Sequence, residues 1–380
     1  MPPRALMLCP EPPYPLHGGG AMRTAAMAHY LSKRYLLDLI LFREAQLPPP
    51  ELPPGLVDQL HIIPIPTHRR DPASRALRNL RRALYHAPPL IDRFTGFGAA
   101  LERLVRNRQW DVAVVEHEWC AGYHQILRGR AAKLIIDLHN IESAWHESVA
   151  ASSSWPLAAI HRRFALGAYA VETEWLPCYD LALTCSEDDR ERVPQAAAEV
   201  WPNTIPRREI ARLAQKNQIV FSGNFDYEPN RAAFDWFARN VWPALSKQAP
   251  GLRWLLLGRG SDRLPIPAGA VATGAIEDAL PELAASRAAV VPLLSGSGTR
   301  IKILEAWSAG VPVVSTSIGA EGLPTDALRI ADDPTSFANA VAELVTSPQE
   351  AERLAALGTR TFNTTFTWES GWKVLEQLAV

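Results

Sequence analysis

A chain of 380 residues is long for one globular domain, so two domains are expected. Hydrophobic residues make up 47% of the chain and charged residues 21%, which allows a buried core in each domain and disfavours extensive disorder. The net charge of -1 argues against a nucleic-acid-binding protein.

The cysteines and the apolar runs indicate the compartment. The four cysteines lie far apart and form no CxxC pair, which favours free thiols in a reducing environment. The proline-rich beginning is unlike a signal peptide, and no stretch approaches the ~18 apolar residues of a membrane-spanning helix. We therefore expect a cytoplasmic protein, with at most a peripheral contact at the inner face of a membrane.

The first half of the chain alternates short apolar runs with amphipathic segments. Runs that are apolar on both faces predict the strands of a parallel sheet covered by helices. The predicted strands are 5–9, 36–42, 60–65, 112–117, 133–139 and 181–186. A helix opened by Thr24 is predicted over 24–35, and another lies within 93–108.

The stretch LHGGGAMR (16–23) follows the first predicted strand. A lipase oxyanion hole is excluded, because no serine of the chain lies in a G-x-S-x-G motif. A dinucleotide fingerprint is excluded as well, because Arg23 stands where the third glycine would pack the helix on the strand. The remaining interpretation is a strand-to-helix turn whose bare backbone can approach a ligand.

A second series of the same kind follows the segment WPNTIP (201–206). Its strands are predicted at 218–223, 253–258, 270–274, 288–293 and 311–317, and its helices at 232–245, 301–310 and 365–378. The expected fold class is α/β, with an N-terminal domain over 1–204, a C-terminal domain over 205–362 and a helical tail over 363–380 that returns towards the first domain. Two doubly wound, Rossmann-like sheets would face a central cleft, with the ligand at the carboxyl ends of their strands.

The segment PLLSGSGTRIKILEAWSAGVPVVSTSIGAEGL (292–323) carries the sharpest signal. A predicted strand ends, a turn of glycines and hydroxyl residues follows, and a helix begins near Arg300. The amides and dipole of a helix start suit an anion such as phosphate, and Arg300 and Lys302 add two charges there. Glu305, further along the helix, can accept hydrogen bonds from two vicinal hydroxyls. A solvated basic helix start is the alternative.

This segment closely resembles the nucleotide-sugar site of retaining GT-B glycosyltransferases of the family 4 group. Three further segments resemble parts of the same family, namely 137–147, 220–245 and 274–299. The resemblance implies transfer of a sugar from a nucleotide-diphosphate sugar to a hydroxyl acceptor (a glycan, a lipid-linked glycan or a small molecule). It implies neither a metal ion nor another cofactor.

The resemblance also assigns roles to residues. Arg300 and Lys302 would bind the diphosphate and His139 would contact the sugar near its reactive carbon, which makes these three the candidate catalytic residues. Glu305 would bind the ribose. The other donor contacts would come from backbone or apolar groups, at Gly223, Ile276, Gly298 and Thr299. In this picture the backbone of Gly19 and Gly20 meets the donor from the first domain, and Arg23 lies near the donor charge or the acceptor.

Two departures from the family pattern leave alternatives open. The family often carries a glutamate eight positions before Glu305, where this chain has Ser297, so the transferred sugar is not specified. A non-catalytic sugar-binding subunit and a nucleotide-sugar epimerase of the same fold are the alternative functions. The stretch GNFDYEPNR also lacks the basic pair that many relatives place after the interdomain linker, and Arg231 is a weak substitute.

Polar residues of the first domain have several interpretations. Glu116 and His117, with Glu118, end a predicted strand and either orient an acceptor hydroxyl or serve the structure. The i, i+3, i+7 spacing of His139, Glu142 and His146 lacks an HExxH or His/Cys context, so no metal site is expected.

One surface segment is strongly basic. Between residues 68 and 108 there are ten arginines (69, 70, 75, 78, 81, 82, 93, 103, 106 and 108) against three acidic residues (71, 92 and 102). Within RALRNLRRALY (75–85), Leu77, Leu80 and Leu84 share one helical face. Two interpretations are equally supported: a helix resting on anionic lipid through 75–108, or a solvated helix that packs its leucines inward.

Overall fold

The computed structural model describes residues 2–16, 18–67, 71–210, 214–295 and 301–380. The chain divides into two compact units, one formed by Met1–Asn203 with Trp372–Val380 and the other by Thr204–Gly371. No helix within the described ranges has the length and apolar character needed to cross a membrane.

The first unit is built on a parallel sheet of apolar strands. Its order is β3-β2-β1-β4-β5-β6-β7. The strands are β1 (Arg4–Cys9), β2 (Leu36–Glu44), β3 (Gln59–Ile65), β4 (Trp110–Glu116), β5 (Ala131–Asp137), β6 (Leu181–Thr184) and β7 (Ala198–Val200). The central strands are almost fully buried because helices cover both faces.

The helices of the first unit connect these strands. They are α1 (Gly19–Ser32), α2 (Pro72–Leu84), α3 (Pro89–Phe94), α4 (Gly98–Val105), α5 (His124–Leu127), α6 (Glu142–Ser152), α7 (Leu157–Trp175) and α8 (Glu187–Glu191). The end of the chain joins this unit, since Trp372 donates its indole N–H to Ala26 O at 2.9 Å and Tyr30 donates its hydroxyl to Val380 O at 3.0 Å.

The second unit repeats the architecture with a parallel sheet in the order β10-β9-β8-β11-β12-β13. Its strands are β8 (Gln218–Ser222), β9 (Arg253–Leu257), β10 (Ala270–Ala272), β11 (Ala288–Val291), β12 (Val313–Ser315) and β13 (Arg329–Ile330). Its helices are α9 (Glu228–Trp236), α10 (Trp242–Gln248), α11 (Leu280–Ala284), α12 (Ile301–Ser308), α13 (Pro334–Thr346) and α14 (Pro348–Thr361). A last helix, α15 (Trp368–Gln377), begins here and ends in the first unit.

The predicted α/β class with two doubly wound sheets is confirmed. The sequence analysis missed β7 and β13, which have three and two residues and are too short to show an apolar pattern. The segment 93–108 holds the end of α3 and all of α4, because Gly96 adopts a φ of +93° that interrupts the helix between them.

Candidate active site

In each sheet the chain reverses its direction of winding between two central strands, and ligands of such folds bind outside the carboxyl ends of those strands. In the first unit these strands are β1 and β4. The turn after β1 leads into α1 through Gly18, whose φ of +89° favours glycine. The other groups at this edge are Glu116 and His117 at the end of β4 and His139 just after β5.

His139 is held by two carboxylates. Its Nε2 lies 2.8 Å from Glu116 Oε2 and 3.4 Å from Asp137 Oδ2. Burial alone would lower the pKa of His139, but the contacts with Asp137 and Glu116 outweigh it and raise the pKa. The two carboxylates therefore favour the protonated form of the imidazole. Its Nδ1 is buried and has no hydrogen-bond partner among the described residues.

Gly20 leaves space beside this unused nitrogen. A Cβ atom at this position would lie 3.6 Å from His139 Nδ1 and 3.8 Å from His117 Nε2. The triple-glycine turn and the two histidines, far apart in sequence, thus meet at one point. Gly19 begins α1 next to it and is half-buried.

Arg23 does not lie in an open position beside a substrate, as the sequence analysis expected. It is 1% exposed, and its guanidinium donates to both carboxylate oxygens of Asp137, at distances from 2.6 to 3.0 Å, and to Trp201 O at 2.7 Å. A side chain so enclosed cannot contact an acceptor. Arg23 instead acts through Asp137: burial would raise the pKa of Asp137, but the adjacent guanidinium contributes to a net lowering.

His117 has a strained backbone and a stacked ring. Its φ of +63° is rare for a residue with a Cβ, and such strain of about 1–3 kcal/mol occurs mostly at functional sites. The ring centroid lies 3.6 Å from that of His139 and 4.1 Å from that of Trp119. Burial and the positive charges of His139 and Arg23 lower the pKa of His117 well below its usual value, which favours a neutral ring beside that of His139.

Glu116 and Glu118 serve different networks although the sequence places them two residues apart. Glu116 is fully buried and accepts hydrogen bonds from His139 and from Thr24 Oγ1. Glu118 accepts from the backbone N–H of Glu142 and lies beside other carboxyls. Burial and the nearby Glu172 and Glu142 raise the pKa of Glu118 well above its usual range. We therefore assign Glu118 a structural role beside the site.

In the second unit the winding reverses between β8 and β11. Gly223 follows β8, and a Cβ added to it would lie 3.3 Å from Lys302 Nζ on α12. Lys302 donates to Asn230 Oδ1 at 2.6 Å, and Asn230 donates in turn to Asn224 O at 2.8 Å. The structure thus brings the predicted Gly223 and Lys302 together and places an ammonium group at the carboxyl edge of the sheet.

The remaining predicted donor contacts lie at or near this edge. Glu305 is one turn beyond Lys302 on α12. Burial raises the pKa of Glu305 to about 7, with Lys302 lowering it and Asp278 raising it. Ile276 lies in the loop after β10 and is 36% exposed, so an apolar side chain faces solvent there. Three predicted residues lie outside the described residues: Gly298, Thr299 and Arg300.

The sequence analysis missed three supporting residues, namely Asp137, Asn230 and Trp119. Asp137 ends β5 two positions before His139, and an acidic residue at the end of an apolar strand could have pointed to it. Asn230 sits on α9, 72 residues from its partner Lys302, and no spacing rule predicts that pairing.

One group of side chains has the composition of a cation site. Glu116, Asp137 and His139 offer ligand atoms within 4.8 Å of one another. Both oxygens of Asp137 already accept from the buried Arg23 guanidinium, whose charge disfavours a second cation. In the other trio considered from the sequence, two members have other partners: Glu142 accepts from Trp119 Nε1, and His146 Nδ1 lies 3.0 Å from His161 Nδ1.

Part of the chain matches a known protein family. Residues 216–347 match the family model described as Glycosyl transferases group 1. This part of the chain is therefore similar to the group 1 glycosyltransferases. It contains the Gly223–Lys302 edge described above.

The solved structures extend the likeness to both units. Sucrose-phosphate synthase from Thermosynechococcus elongatus superposes with a TM-score of 0.73 at 16% identity, over 99% of this chain and 98% of that one. Alr3699/HepE from Anabaena, solved in complex with UDP, gives a TM-score of 0.64 at 14% identity over 99% of both chains. The fold of the chain is therefore GT-B, as the sequence predicted.

A curated relative matches part of the chain. The "Uncharacterized 44.6 kDa protein in cps region" of Klebsiella pneumoniae is 22% identical over 262 residues. The match spans 63% of this chain and 66% of that protein.

Proposed function

We propose that the protein is a retaining glycosyltransferase that moves a sugar from a nucleotide-diphosphate sugar to a hydroxyl acceptor. One observation carries the proposal: Lys302 Nζ lies beside Gly223 at the winding reversal of a domain that matches a glycosyltransferase family. Bare backbone next to an ammonium group at this edge suits a diphosphate.

The negative charge that develops on the departing diphosphate is the main contribution to the barrier that the site has to lower. Lys302 would stabilise it together with Arg300 and the backbone amides of Gly298 and Thr299. Removal of one such preorganised donor costs about 3–4 kcal/mol in other enzymes. Glu305 would accept hydrogen bonds from the ribose.

The base and the sugar have separate contacts in this proposal. Ile276 would lie against the nucleobase. His139 would donate from Nδ1 to an oxygen of the transferred sugar near its reactive carbon, while its Nε2 remains on Glu116. By resemblance to the family, the leaving phosphate oxygen takes the acceptor proton on the face where the new bond forms. No metal ion or other cofactor enters this scheme, because the protein itself supplies the positive charges.

Binding and product analysis test the proposal. Nucleoside diphosphates and their sugars should raise the unfolding midpoint by mass action, and one base should dominate. The matching nucleotide sugar should give an α- or β-linked product with the configuration of the donor, in the presence of EDTA. Failure of every nucleotide and nucleotide sugar to bind would refute the proposal.

The same assays separate the alternative functions. A sugar-binding subunit would bind the donor without transfer or hydrolysis. An epimerase would interconvert nucleotide sugars when no acceptor is present.

We also propose that the reaction takes place in the cytoplasm. The four cysteines are free thiols, with Cys9, Cys120 and Cys185 buried and Cys178 half-buried. Free thiols fit a reducing compartment.

A further inference from the structure

The leucine face of α2 points to solvent. Leu77, Leu80 and Leu84 are 70%, 55% and 64% exposed, and the next residue, Tyr85, is 76% exposed. The interpretation that packs these leucines inward is therefore wrong. Large apolar side chains this exposed, in a row on one helix, are typical of a surface that meets another apolar phase.

The opposite face of α2 lies over a cavity of about 310 Å³. Arg75, Arg78 and Arg82 line it from α2, and Trp145, His161 and Phe164 face them from α6 and α7. The helix thus turns its arginines towards a cavity of the protein and its leucines away from it. A helix that only needed solubility would have the reverse arrangement.

Positive charge dominates this cavity. Arg82 is paired with Asp92 at 2.7 Å, while Arg75 lies on the exposed side of the opening. The acidic group of the lining is Glu142, which accepts hydrogen bonds from Trp119 Nε1 and from Asn140 Nδ2, so the lining holds three arginines and one carboxyl. A phosphate group, which takes two oxygens from one guanidinium, fits such a lining.

The cavity is connected to the candidate active site through one chain of contacts. Glu142 lines the cavity and accepts from Trp119 Nε1 at 2.9 Å. Trp119 stacks on His117, and the ring of His117 lies against that of His139 at an angle of 32°. These contacts join the lining of the cavity to the groups assigned to the sugar.

We propose that this cavity takes the phosphate-bearing head group of a lipid acceptor while the leucine face of α2 rests in an anionic membrane surface. The proposal names the acceptor class and so rests on the proposed glycosyl transfer. The two faces of α2 carry it together: the arginines suit the anionic head group, and the leucines suit the apolar part of the same molecule and of its neighbours.

Vesicle sedimentation of the full-length protein tests the membrane contact. The protein should sediment at low salt with vesicles of phosphatidylcholine and phosphatidylglycerol, and not with phosphatidylcholine alone. The triple variant Leu77→Ser/Leu80→Ser/Leu84→Ser should lose most of this binding. Its matched control, Leu47→Ser/Ile266→Ser, removes apolar side chains of 48% and 42% exposure elsewhere and should sediment like the wild type.

Head-group binding is tested separately with a soluble lipid. Dihexanoyl phosphatidic acid, below its micelle concentration, should raise the unfolding midpoint of the wild type, and Arg75→Ala should reduce that shift. The matched control Arg81→Ala removes an equal charge from an exposed position outside the cavity lining and should keep the shift.

Three results would overturn the proposal. Equal stabilisation by inorganic phosphate would indicate a site for a soluble phosphate compound. Equal loss of the shift in both arginine variants would indicate general charge attraction, and vesicle binding by the leucine variant would remove the membrane contact. None of these readouts needs turnover, so nucleotide binding by the second unit can succeed or fail independently.

Discussion

Replacing Glu116 by glutamine tests the protonated state of His139. The Glu116→Gln variant keeps the shape of the side chain and removes a negative charge 2.8 Å from His139 Nε2. A hydrogen bond between charged groups contributes about 1.5–3 kcal/mol, and one pKa unit corresponds to about 1.4 kcal/mol. The pKa of His139 should therefore fall by about one to two units, and by the smaller amount if the glutamine oxygen still accepts from Nε2.

The consequence for activity has a definite sign. The protonated imidazole is present below the pKa of His139 in the folded protein and is lost as the pH rises through it. The wild type should therefore lose activity on the alkaline side, and in Glu116→Gln this loss should begin about one to two pH units lower. The measurements are the pH dependence of sugar transfer and an NMR titration of the His139 ring proton.

Glu118→Gln is the matched control. Glu118 lies two residues away, and burial with the nearby Glu172 and Glu142 raises the pKa of its carboxyl well above the usual range, which favours the neutral form that glutamine resembles. This variant should keep the alkaline limb of the wild type. If Glu116→Gln, with the fold intact by circular dichroism, loses activity at the same alkaline pH as the wild type, the proton between the two groups belongs to Glu116. That result would refute the assignment of a protonated His139.

Four other changes test the remaining groups. Lys302→Met should lower turnover by about 100- to 1,000-fold with an unchanged circular dichroism spectrum, and near-normal transfer would contradict the diphosphate role. Because the pKa of Glu305 is about 7, nucleotide affinity by calorimetry should rise with pH through that value, and Glu305→Gln should abolish this dependence. Gly20→Ala should fold normally, since a Cβ there makes only ordinary contacts, yet lose turnover by filling the space beside the imidazole; retained activity would show that no substrate passes there. Arg23→Met should lower the free energy of unfolding by about 3–5 kcal/mol by leaving Asp137 charged and buried, and Arg23→Met/Asp137→Asn should recover part of that loss in denaturant titrations.

The sequence predicted the fold well because parallel sheets need strands that are apolar on both faces. Such runs stand out from the amphipathic helices around them, as in β1, β4 and β8. The pattern fails where an element is too short to bury a full face. β13 has two residues and is a strand only because β12 lies beside it.

The site was predicted less completely because its pairings join distant parts of the chain. Arg23 and Asp137 are 114 residues apart, and neither position alone indicates a buried ion pair. Local pattern also misleads at the end of β4. Residues i and i+2 of a strand face the same side, but the φ of +63° at His117 turns the chain, so Glu116 joins His139 while Glu118 joins another network.

The two candidate charged groups, His139 in the first unit and Lys302 in the second, are held in different ways, and the difference follows from their chemistry. An imidazole has an ordinary pKa near 6.5, so His139 stays protonated in a buried place only if carboxylates such as Glu116 oppose the cost of burial. A lysine ammonium is charged at neutral pH without such help, and Lys302 donates to the amide oxygen of Asn230, which orients it. Each partner thus suits the group it holds, since a carboxylate favours the proton at the imidazole of the proposed sugar contact, whereas an amide orients an ammonium that is charged without its help.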